Sequence, residues 1–340
     1  MKNKYLATTT GIDSLFHQAK PATTGVLLVN LGTPDAPTAS ALRRYLAEFL
    51  ADTRVIEIPK FIWMLVLHGI ILRVRPKKSA AKYQTIWTPE GSPLLAISKR
   101  QTAAIQTQLG NSVTVKLGMR YGNPSITKAL REFQTEGVRK VIVLPLYPQY
   151  AAATTGSTFD AITRELQQWR FVPELHFINS YCDQPLFIDA LAASIQEDFD
   201  QHGKPQKLLL SYHGMPQRNL DLGDPYYCLC QKTTRLVAEK LGLQQHEYIT
   251  TFQSRFGYAE WLQPYTDTTL EELAKSGIKN IAIVSPAFSA DCLETLEELA
   301  VENREIFEEH GGKQYRYIAA LNDRQDHVTA LTTIIRKYID

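Results

Sequence analysis

Cysteine is scarce: Cys182, Cys228, Cys230 and Cys292 are the 4 among 340 residues. That is too few for a disulfide framework and suits a reducing compartment in which all four stay thiols. A dominant charge is also lacking, because 37 Lys and Arg stand against 35 Asp and Glu for a formal net charge of +2. The basic residues are interspersed with acidic ones, so nucleic acid is not an expected partner. No apolar run reaches the ~20 residues that a membrane span needs. The most apolar stretch, FIWMLVLHGIILRV (Phe61 to Val74), is shorter and contains His68 and Gly69. Residues 1–24 hold Lys2 and Lys4 but no apolar core and no small-residue cleavage pattern. They read as an N-terminal extension and not as a signal peptide, and the chain is expected in the cytoplasm.

What is present is an ordinary globular balance, 44% hydrophobic and 21% charged, which excludes disorder. The length suits two folding units of roughly 150 residues each, or one built from two similar halves. Apolar runs of strand length occur at Gly25 to Asn30, Val113 to Leu117, Val138 to Leu144, Leu175 to Ile178, Leu208 to Tyr212, Glu247 to Thr251, Ile278 to Ser285 and Tyr315 to Ile318. Between them, Thr38 to Leu50, Ser125 to Gln134, Asp160 to Trp169, Leu186 to Phe199, Pro225 to Leu241, Thr266 to Ala274 and Glu294 to Glu308 read as helices. This alternation predicts an α/β fold with mainly parallel sheets.

The chain also resembles itself. GVLLVNLGTP (Gly25 to Pro34) matches KLLLSYHGMP (Lys207 to Pro216) in strand, Gly and Pro placement. Met119 to Gly122 then matches Ser254 to Gly257, and Leu130 to Pro145 matches Leu270 to Pro286. The spacing between partners shrinks after the first match, so the first half carries an insertion of about 45 residues. The prediction is two Rossmann-like lobes in a pseudo-repeat: 25–175, containing the inserted apolar segment 59–98, and 176–340. For 59–78 two readings stand, a buried core helix or an interfacial, pocket-lip helix. Lys60, Arg73, Arg75, Lys77 and Lys78 flank it, as suits a peripheral contact with the inner face of a membrane or with a porphyrin's propionates.

In parallel sheets, functional residues gather beyond the carboxyl ends of strands. Two such turns stand out. Ser211 to Pro216 (SYHGMP) delivers His213 into a tight turn, and Ser285 to Leu299 (SPAFSADCLETLEEL) leads from a strand end into an acidic helix start. With GDPYY (Gly223 to Tyr227), these segments resemble the signatures of ferrochelatases. Similar matches are LVNLGTPDAPT (Leu28 to Thr38), FLADTRVIEIP (Phe49 to Pro59), GSPL (Gly91 to Leu94), MRYGNP (Met119 to Pro124), LPLYPQYAAATTGS (Leu144 to Ser157) and QSRFGYAEWLQP (Gln253 to Pro264). The resemblance runs from about Gly25 to Glu298.

It implies insertion of Fe²⁺ into protoporphyrin IX to give protohaem, the terminal step of haem synthesis, in a cleft between the lobes. His213 and Glu294 match the family's catalytic, metal-facing pair. Leu31, Arg120, Tyr121, Tyr147, Trp261 and Asp291 match porphyrin-binding positions, and Leu31 is also the repeat partner of His213. Bland readings stand beside these: Arg120 as an ion-pair residue, Tyr147, Tyr150 and Trp261 as core or rim aromatics, and Glu294 as a carboxylate in a helix's first turn. Glu294, Glu297, Glu298 and Glu302 recur at helical spacing, as an acidic lane for cations or a solvated helix face.

Some ferrochelatases hold a [2Fe–2S] cluster on three C-terminal cysteines and one after the YPQY segment. Here Ala152 occupies the latter position and no cysteine follows Cys292. No permanently bound cofactor is therefore expected, with Fe²⁺ as substrate only. Cys292 departs from the histidine of many relatives. The alternatives are a cobalt or coproporphyrin chelatase, or a non-enzymatic tetrapyrrole carrier.

Overall fold

The computed structural model describes residues 23–257 and 259–339; most of the expected extension 1–24 lies outside them. The described chain divides into two compact units, one of residues 23–146, 152–179 and 331–339, the other of 147–151 and 180–330.

The first unit holds strands β1 (Thr23–Thr33), β2 (Val113–Gly122), β3 (Val138–Pro145) and β4 (Glu174–Phe177), in the order β2-β1-β3-β4. The second holds β5 (Lys207–His213), β6 (Tyr248–Gln253), β7 (Asn280–Val284) and β8 (Gln314–Ile318), in the order β6-β5-β7-β8. Every pairing is parallel. The α/β class and the internal repeat are therefore realised as two four-stranded sheets of identical order. A parallel strand is covered on both faces and so reads as an unbroken apolar run. Val26 to Val29 in β1 and Leu208 to Leu210 in β5 are each at most 1% exposed.

Helices α1 (Ala39–Leu50), α2 (Lys60–Val66), α3 (Leu72–Ile86), α4 (Pro93–Leu109), α5 (Ile126–Thr135) and α6 (Ser157–Leu166) belong to the first unit. Thr38 caps α1 by accepting the Ala41 N–H, and Ser125 caps α5 by accepting the Lys128 N–H at 3.2 Å. The second unit carries α7 (Pro185–His202), α8 (Gln217–Asp221), α9 (Tyr226–Lys240), α10 (Thr266–Lys275) and α11 (Asn303–Glu309), and α12 (Gln325–Arg336) follows β8. The apolar stripe of α5 packs Ile126, Leu130 and Phe133 against β1 and β3, and in the second unit Leu270 and Ala274 of α10 do the same against β5 and β7.

Three helices lie where none was expected: the short α8, and the longer α4 and α12. α4 buries Ser98 and Gln101 completely, and α12 buries His327 and Thr332. Polar residues on the inward face interrupt the apolar period that sequence reading depends on. The expected helix from Glu294 to Glu308 opens instead as wider π-helical turns at Glu294–Glu302 before α11. The expected lobe boundary after residue 175 falls inside β4, whose pairing along β3 keeps it with the first sheet. Residues 147–151 group with the second unit and 331–339 with the first.

In the insertion, α2 buries none of its residues. It runs through a π-helical turn, Leu67–Ile71, into α3. Leu67, Leu72, Ala80 and Tyr83 face inward, Arg43 Nε donates to the Leu72 carbonyl at 2.9 Å, and Trp63 Nε1 donates to that of Leu50. The opposite side leaves Phe61 and Leu65 each 74% exposed, with Ile70 and Val74 also in solvent. The segment is therefore not a buried core helix, since one of its apolar sides faces solvent.

The repeated LGTP and HGMP turns share a steric cause. Gly32 sits at φ +110°, where a Cβ would come within 1.8 Å of the Tyr121 carbonyl oxygen. Gly214 donates its N–H to the Gln253 carbonyl at 2.7 Å, and a Cβ there would lie 2.6 Å from that oxygen. Each central strand ends pressed against its neighbour's backbone, which only glycine permits. Gly32→Ala and Gly214→Ala should each lose about 2–4 kcal/mol of stability. Gly69→Ala, where a Cβ meets nothing within 4 Å, should change it by no more than about 1 kcal/mol. Urea unfolding midpoints of the three variants check the contrast.

Candidate active site

His213 is the last residue of β5, a central strand, and Glu294 follows β7, its neighbour. Between these strands the connection order reverses, the position at which open α/β sheets collect ligands beyond their carboxyl ends. The His213 Nδ1 lies 2.7 Å from the Gly214 carbonyl oxygen. Since a carbonyl can only accept, Nδ1 carries a proton, and in the neutral ring Nε2 is the nitrogen with the lone pair. Trp261 stands beside this turn: its ring lies 3.1 Å from where a Gly214 Cβ would be, and its backbone bridges to Pro216. The buried indole packs on Phe256, and its Nε1 has no hydrogen-bond partner among the described residues.

Gln253, the last residue of β6 and 3% exposed, ties His213's strand to the π-helical turns. Its Oε1 accepts from Ser211 Oγ at 2.8 Å, while Nε2 donates to the Glu294 carbonyl at 3.2 Å and to Glu298 Oε2 at 3.3 Å. Ser254, held at φ 65°, donates its backbone N–H to Glu298 Oε1 at 2.7 Å and its hydroxyl to Oε2. Burial holds the Glu298 carboxyl above its ordinary range, against the pull of the Ser254 hydroxyl and of His213, and the nearby Glu294 charge reinforces the rise. His213 and Glu294 thus each lie within electrostatic reach of Glu298. Glu298 is clamped at this site and does not belong to a solvated face.

A second web fixes the start of the π-helical turns. Asp291, 6% exposed, accepts from Tyr317 Oη at 2.6 Å, Thr295 Oγ1 at 2.9 Å and Asn322 Nδ2 at 2.7 Å, while its own N–H donates to Asn322 Oδ1 at 2.8 Å. Both carboxylate oxygens are committed to protein donors. Asn322, at φ 50°, also accepts from His327 Nδ1 at 2.8 Å through its carbonyl. Burial pushes the His327 imidazole down to about 4, so it is neutral near pH 7.

Arg120 and Tyr121 belong to the first unit. Arg120 pairs with Asp52 and donates to the Ser157 carbonyl at 3.0 Å, with both charged side chains about 10% exposed or less. Tyr121 is fully buried and donates its hydroxyl to Asp52 at 2.8 Å. Burial alone would raise the Asp52 carboxyl, but hydrogen bonds from Ser157, the Arg54 backbone and Tyr121, with the Arg120 charge, bring it below its usual value. The ion-pair reading of Arg120 is therefore realised. Leu31 is half-buried near the end of β1, with its N–H on Asn30 Oδ1 at 2.8 Å, and Tyr147 is half-buried just past β3.

Asp52, Ser157, Gln253 and Ser254 carry no role in the sequence reading although each stands inside a quoted motif. Tyr317, Asn322 and His327 lie beyond the last motif, where no local signal marks them. All four cysteines are free thiols, with Cys228 exposed and the others buried. Among the described residues no set of three or more His, Cys, Asp or Glu side chains converges as a cage for a metal ion.

The family model described as Ferrochelatase matches residues 23–339. Ferrochelatase 2 of Shewanella oneidensis is 64% identical over 318 residues, covering 93% of this chain and 97% of that protein. The ferrochelatase of Hydrogenovibrio crunogenus is 57% identical over 327 residues, covering 94% of this chain and 86% of that one. Among solved structures, SirB from Bacillus subtilis with Fe³⁺ superposes at a TM-score of 0.54 and 14% identity, over 93% of this chain and 95% of its own. CbiX, the terminal enzyme for siroheme biosynthesis in denitrifying bacteria, superposes at 0.52 and 11% identity, over 93% and 100%. These two likenesses establish a chelatase-like fold.

His327 gives the web a pH signature. Its folded pKa is depressed, so its contribution is present above about pH 6.5 and is lost as pH falls toward about 4, where the unfolded chain alone takes the proton. At ~1.4 kcal/mol per pKa unit the loss is roughly 3 kcal/mol. The stability advantage of the wild type over His327→Gln should therefore shrink by that amount between about pH 7 and about pH 4. Denaturant titrations across this range check it, and a constant difference would show that folding does not depress the imidazole's proton affinity.

Proposed function

Because the chain belongs to the ferrochelatase family, we propose that it inserts Fe²⁺ into protoporphyrin IX to yield protohaem, with His213 and Glu294 touching the reacting atoms. The observation that carries the assignment of these two groups is an imidazole at a strand end, its Nδ1 held by the Gly214 carbonyl, that acts on the Glu298 carboxyl, on which Glu294 acts in turn. Metallation must remove two pyrrole N–H protons and replace the water around Fe²⁺. A neutral imidazole with an unperturbed pKa near ~6.5 accepts one proton or ligates the ion near neutral pH. A carboxylate offers a hard oxygen ligand that releases the metal readily, and a route for the second proton.

In this reading His213 Nε2 takes a pyrrole proton while Glu294 meets the metal or the second proton. Glu298, with Ser254 and Gln253 on its oxygens, is the acceptor to which protons pass. Leu31, Tyr147 and Trp261 are assigned to the walls of the porphyrin site. Arg120, Tyr121 and Asp291, whose polar atoms are taken by protein partners, act by holding neighbouring backbone in place. The ferrous ion is substrate and is held only in passing.

Anaerobic incubation with protoporphyrin IX and Fe²⁺, followed by the Soret change, tests the reading. The wild type should metallate. His213→Ala should lose turnover by at least about 100-fold while still binding porphyrin, and Glu294→Gln should slow metallation without unfolding the protein. Unaltered rates in both variants would move the chemistry elsewhere. Faster use of Co²⁺ or coproporphyrin would favour the related chelatases, and an inactive wild type that binds porphyrin would favour a carrier.

The exposed Phe61, Leu65, Ile70 and Val74, flanked by Lys60, Arg73, Arg75, Lys77 and Lys78, support a peripheral contact with an anionic bilayer. No helix of the described residues is long and apolar enough to cross one. Sedimentation with phosphatidylglycerol vesicles should carry the wild type down and leave Phe61→Asp/Leu65→Asp in the supernatant, with metallation in detergent retained. Equal sedimentation of both proteins would count against this contact.

A further inference from the structure

The two halves differ at the outer edge of their sheets. β2 and β6 occupy equivalent edge positions, and their carboxyl-end halves are covered alike: Met119 N–H donates to the Pro124 carbonyl at 2.6 Å and Phe252 N–H to the Pro264 carbonyl at 2.9 Å. At the other end the likeness stops. In the first half the side-chain amide of Gln106, on the helix α4 that precedes β2, closes the edge. It accepts the Val115 N–H at 2.8 Å and donates to the Val113 carbonyl at 2.9 Å.

Tyr248 is the structural counterpart of Val115. Leu208 N–H bonds the Glu247 carbonyl, and Leu208 pairs in register with Tyr248. In a parallel ladder this turns residues 247 and 249 toward β5, so the N–H and C=O of Tyr248 and Thr250 point outward. No hydrogen bond from the described residues reaches those outward groups. The preceding helix α9 offers Gln231 here, but its Oε1 accepts from the Thr250 hydroxyl at 3.1 Å and leaves the backbone open.

A cavity of about 790 Å³ lies along this open edge, between β6 and α9. Lys207, Lys232 and Arg235 line it, and no Asp or Glu does. The partners of Lys232 and Arg235, Asp183 at 2.5 Å and Glu239 at 2.8 Å, lie outside the lining in exposed pairs, which are worth little and exchange readily. Lys207 binds only a neutral carbonyl, that of His246.

We infer that the β6 edge is a docking site for an extended acidic segment of a partner protein, which adds a strand through the backbone groups of Tyr248 and Thr250 and sets its carboxylates against Lys207, Lys232 and Arg235. Strand addition to an open edge takes affinity from main-chain hydrogen bonds and specificity from alternate side chains. Bare edges are otherwise blocked, as Gln106 blocks β2. A second copy of this chain is the wrong occupant, because pairing β6 with β6 would oppose two sets of the same three cations.

The exposed Cys228 thiol, also in the lining, is a built-in reporter, since the other three cysteines are buried. In the free protein the Tyr248 and Thr250 amides should exchange with deuterium faster than the Val115 amide. The blocked peptide acetyl-Glu-Val-Glu-Val-Glu-amide should slow both that exchange and Cys228 alkylation by iodoacetamide at least about fivefold at saturation. The same peptide with alternate amides N-methylated, and its Gln-Val-Gln-Val-Gln analogue, should protect neither. Lys232→Glu/Arg235→Glu should lose the protection and keep the metallation rate. Equal protection by the N-methylated peptide would reject strand addition, and equal protection by the Gln peptide would reject the acidic partner. Absence of protection at millimolar peptide would reject the site. Slow Tyr248 exchange in a self-associated free protein would make a second copy the occupant.

Discussion

Gln253 is where the two halves of the proposed chemistry are joined. Its backbone carbonyl receives the Gly214 N–H just after His213, and its amide spans Ser211 on β5 and the Glu294 carbonyl and Glu298 carboxylate on the π-helical turns. Each such bond contributes only about 1 kcal/mol net, but an unmet buried partner costs about 1–3 kcal/mol. The arrangement is therefore all or nothing: moving the imidazole relative to the carboxylates breaks several bonds together. Gly214 is the steric half of the same constraint, because any side chain there would push β5 off the Gln253 carbonyl.

The pseudo-repeat shows how one scaffold was put to two uses. Leu31 and His213 occupy equivalent strand ends, and Gly32 and Gly214 make the same close approach to the neighbouring edge strand. Arg120 and Arg255 are also repeat partners. Arg120 is sequestered with Asp52 and Ser157 over the Tyr121 ring, whereas Arg255 is 44% exposed, pairs with Asp267 and lies over the Tyr265 ring. The cation over an aromatic ring is common to both halves, but burial differs. Removing either partner of the buried pair would strand a charge at a cost of about 3–5 kcal/mol, while the exposed pair is worth about 1 kcal/mol or less.

Strands were legible in the sequence because a strand buried on both faces must be apolar throughout, and all eight apolar runs became strands. Helices were legible where an apolar stripe keeps its period. They were not at α4 and α12, whose inward faces carry Ser98, Gln101, His327 and Thr332. His213 and Glu294 could be named because strand-end turns and a family resemblance marked them. The long-range hydrogen bonds could not, since those of Arg120 to Asp52, of Ser157 to Asp52 and of Asn322 to Asp291 join residues 68, 105 and 31 positions apart. Such pairings exist only once the topology has brought the segments together. The ion-pair alternative for Arg120 was readable from its type, but its partner was not.

In the proposed reaction two glutamates serve one imidazole, and both stand on the π-helical turns. Residues four apart stand on one face of a helix, one above the other. Glu294 and Glu298 are four apart, and Glu298 senses both Glu294 and His213. Wider turns give up regular bonding, so they last only where the surroundings hold them. Here Asp291 and Thr295 pin the first turn from one side, and Ser254 and Gln253 pin Glu298 from the other. In the proposed reaction two protons leave a macrocycle as a dication enters. A carboxyl whose pKa burial raises, beside a second carboxylate and an imidazole, offers acceptors for those protons.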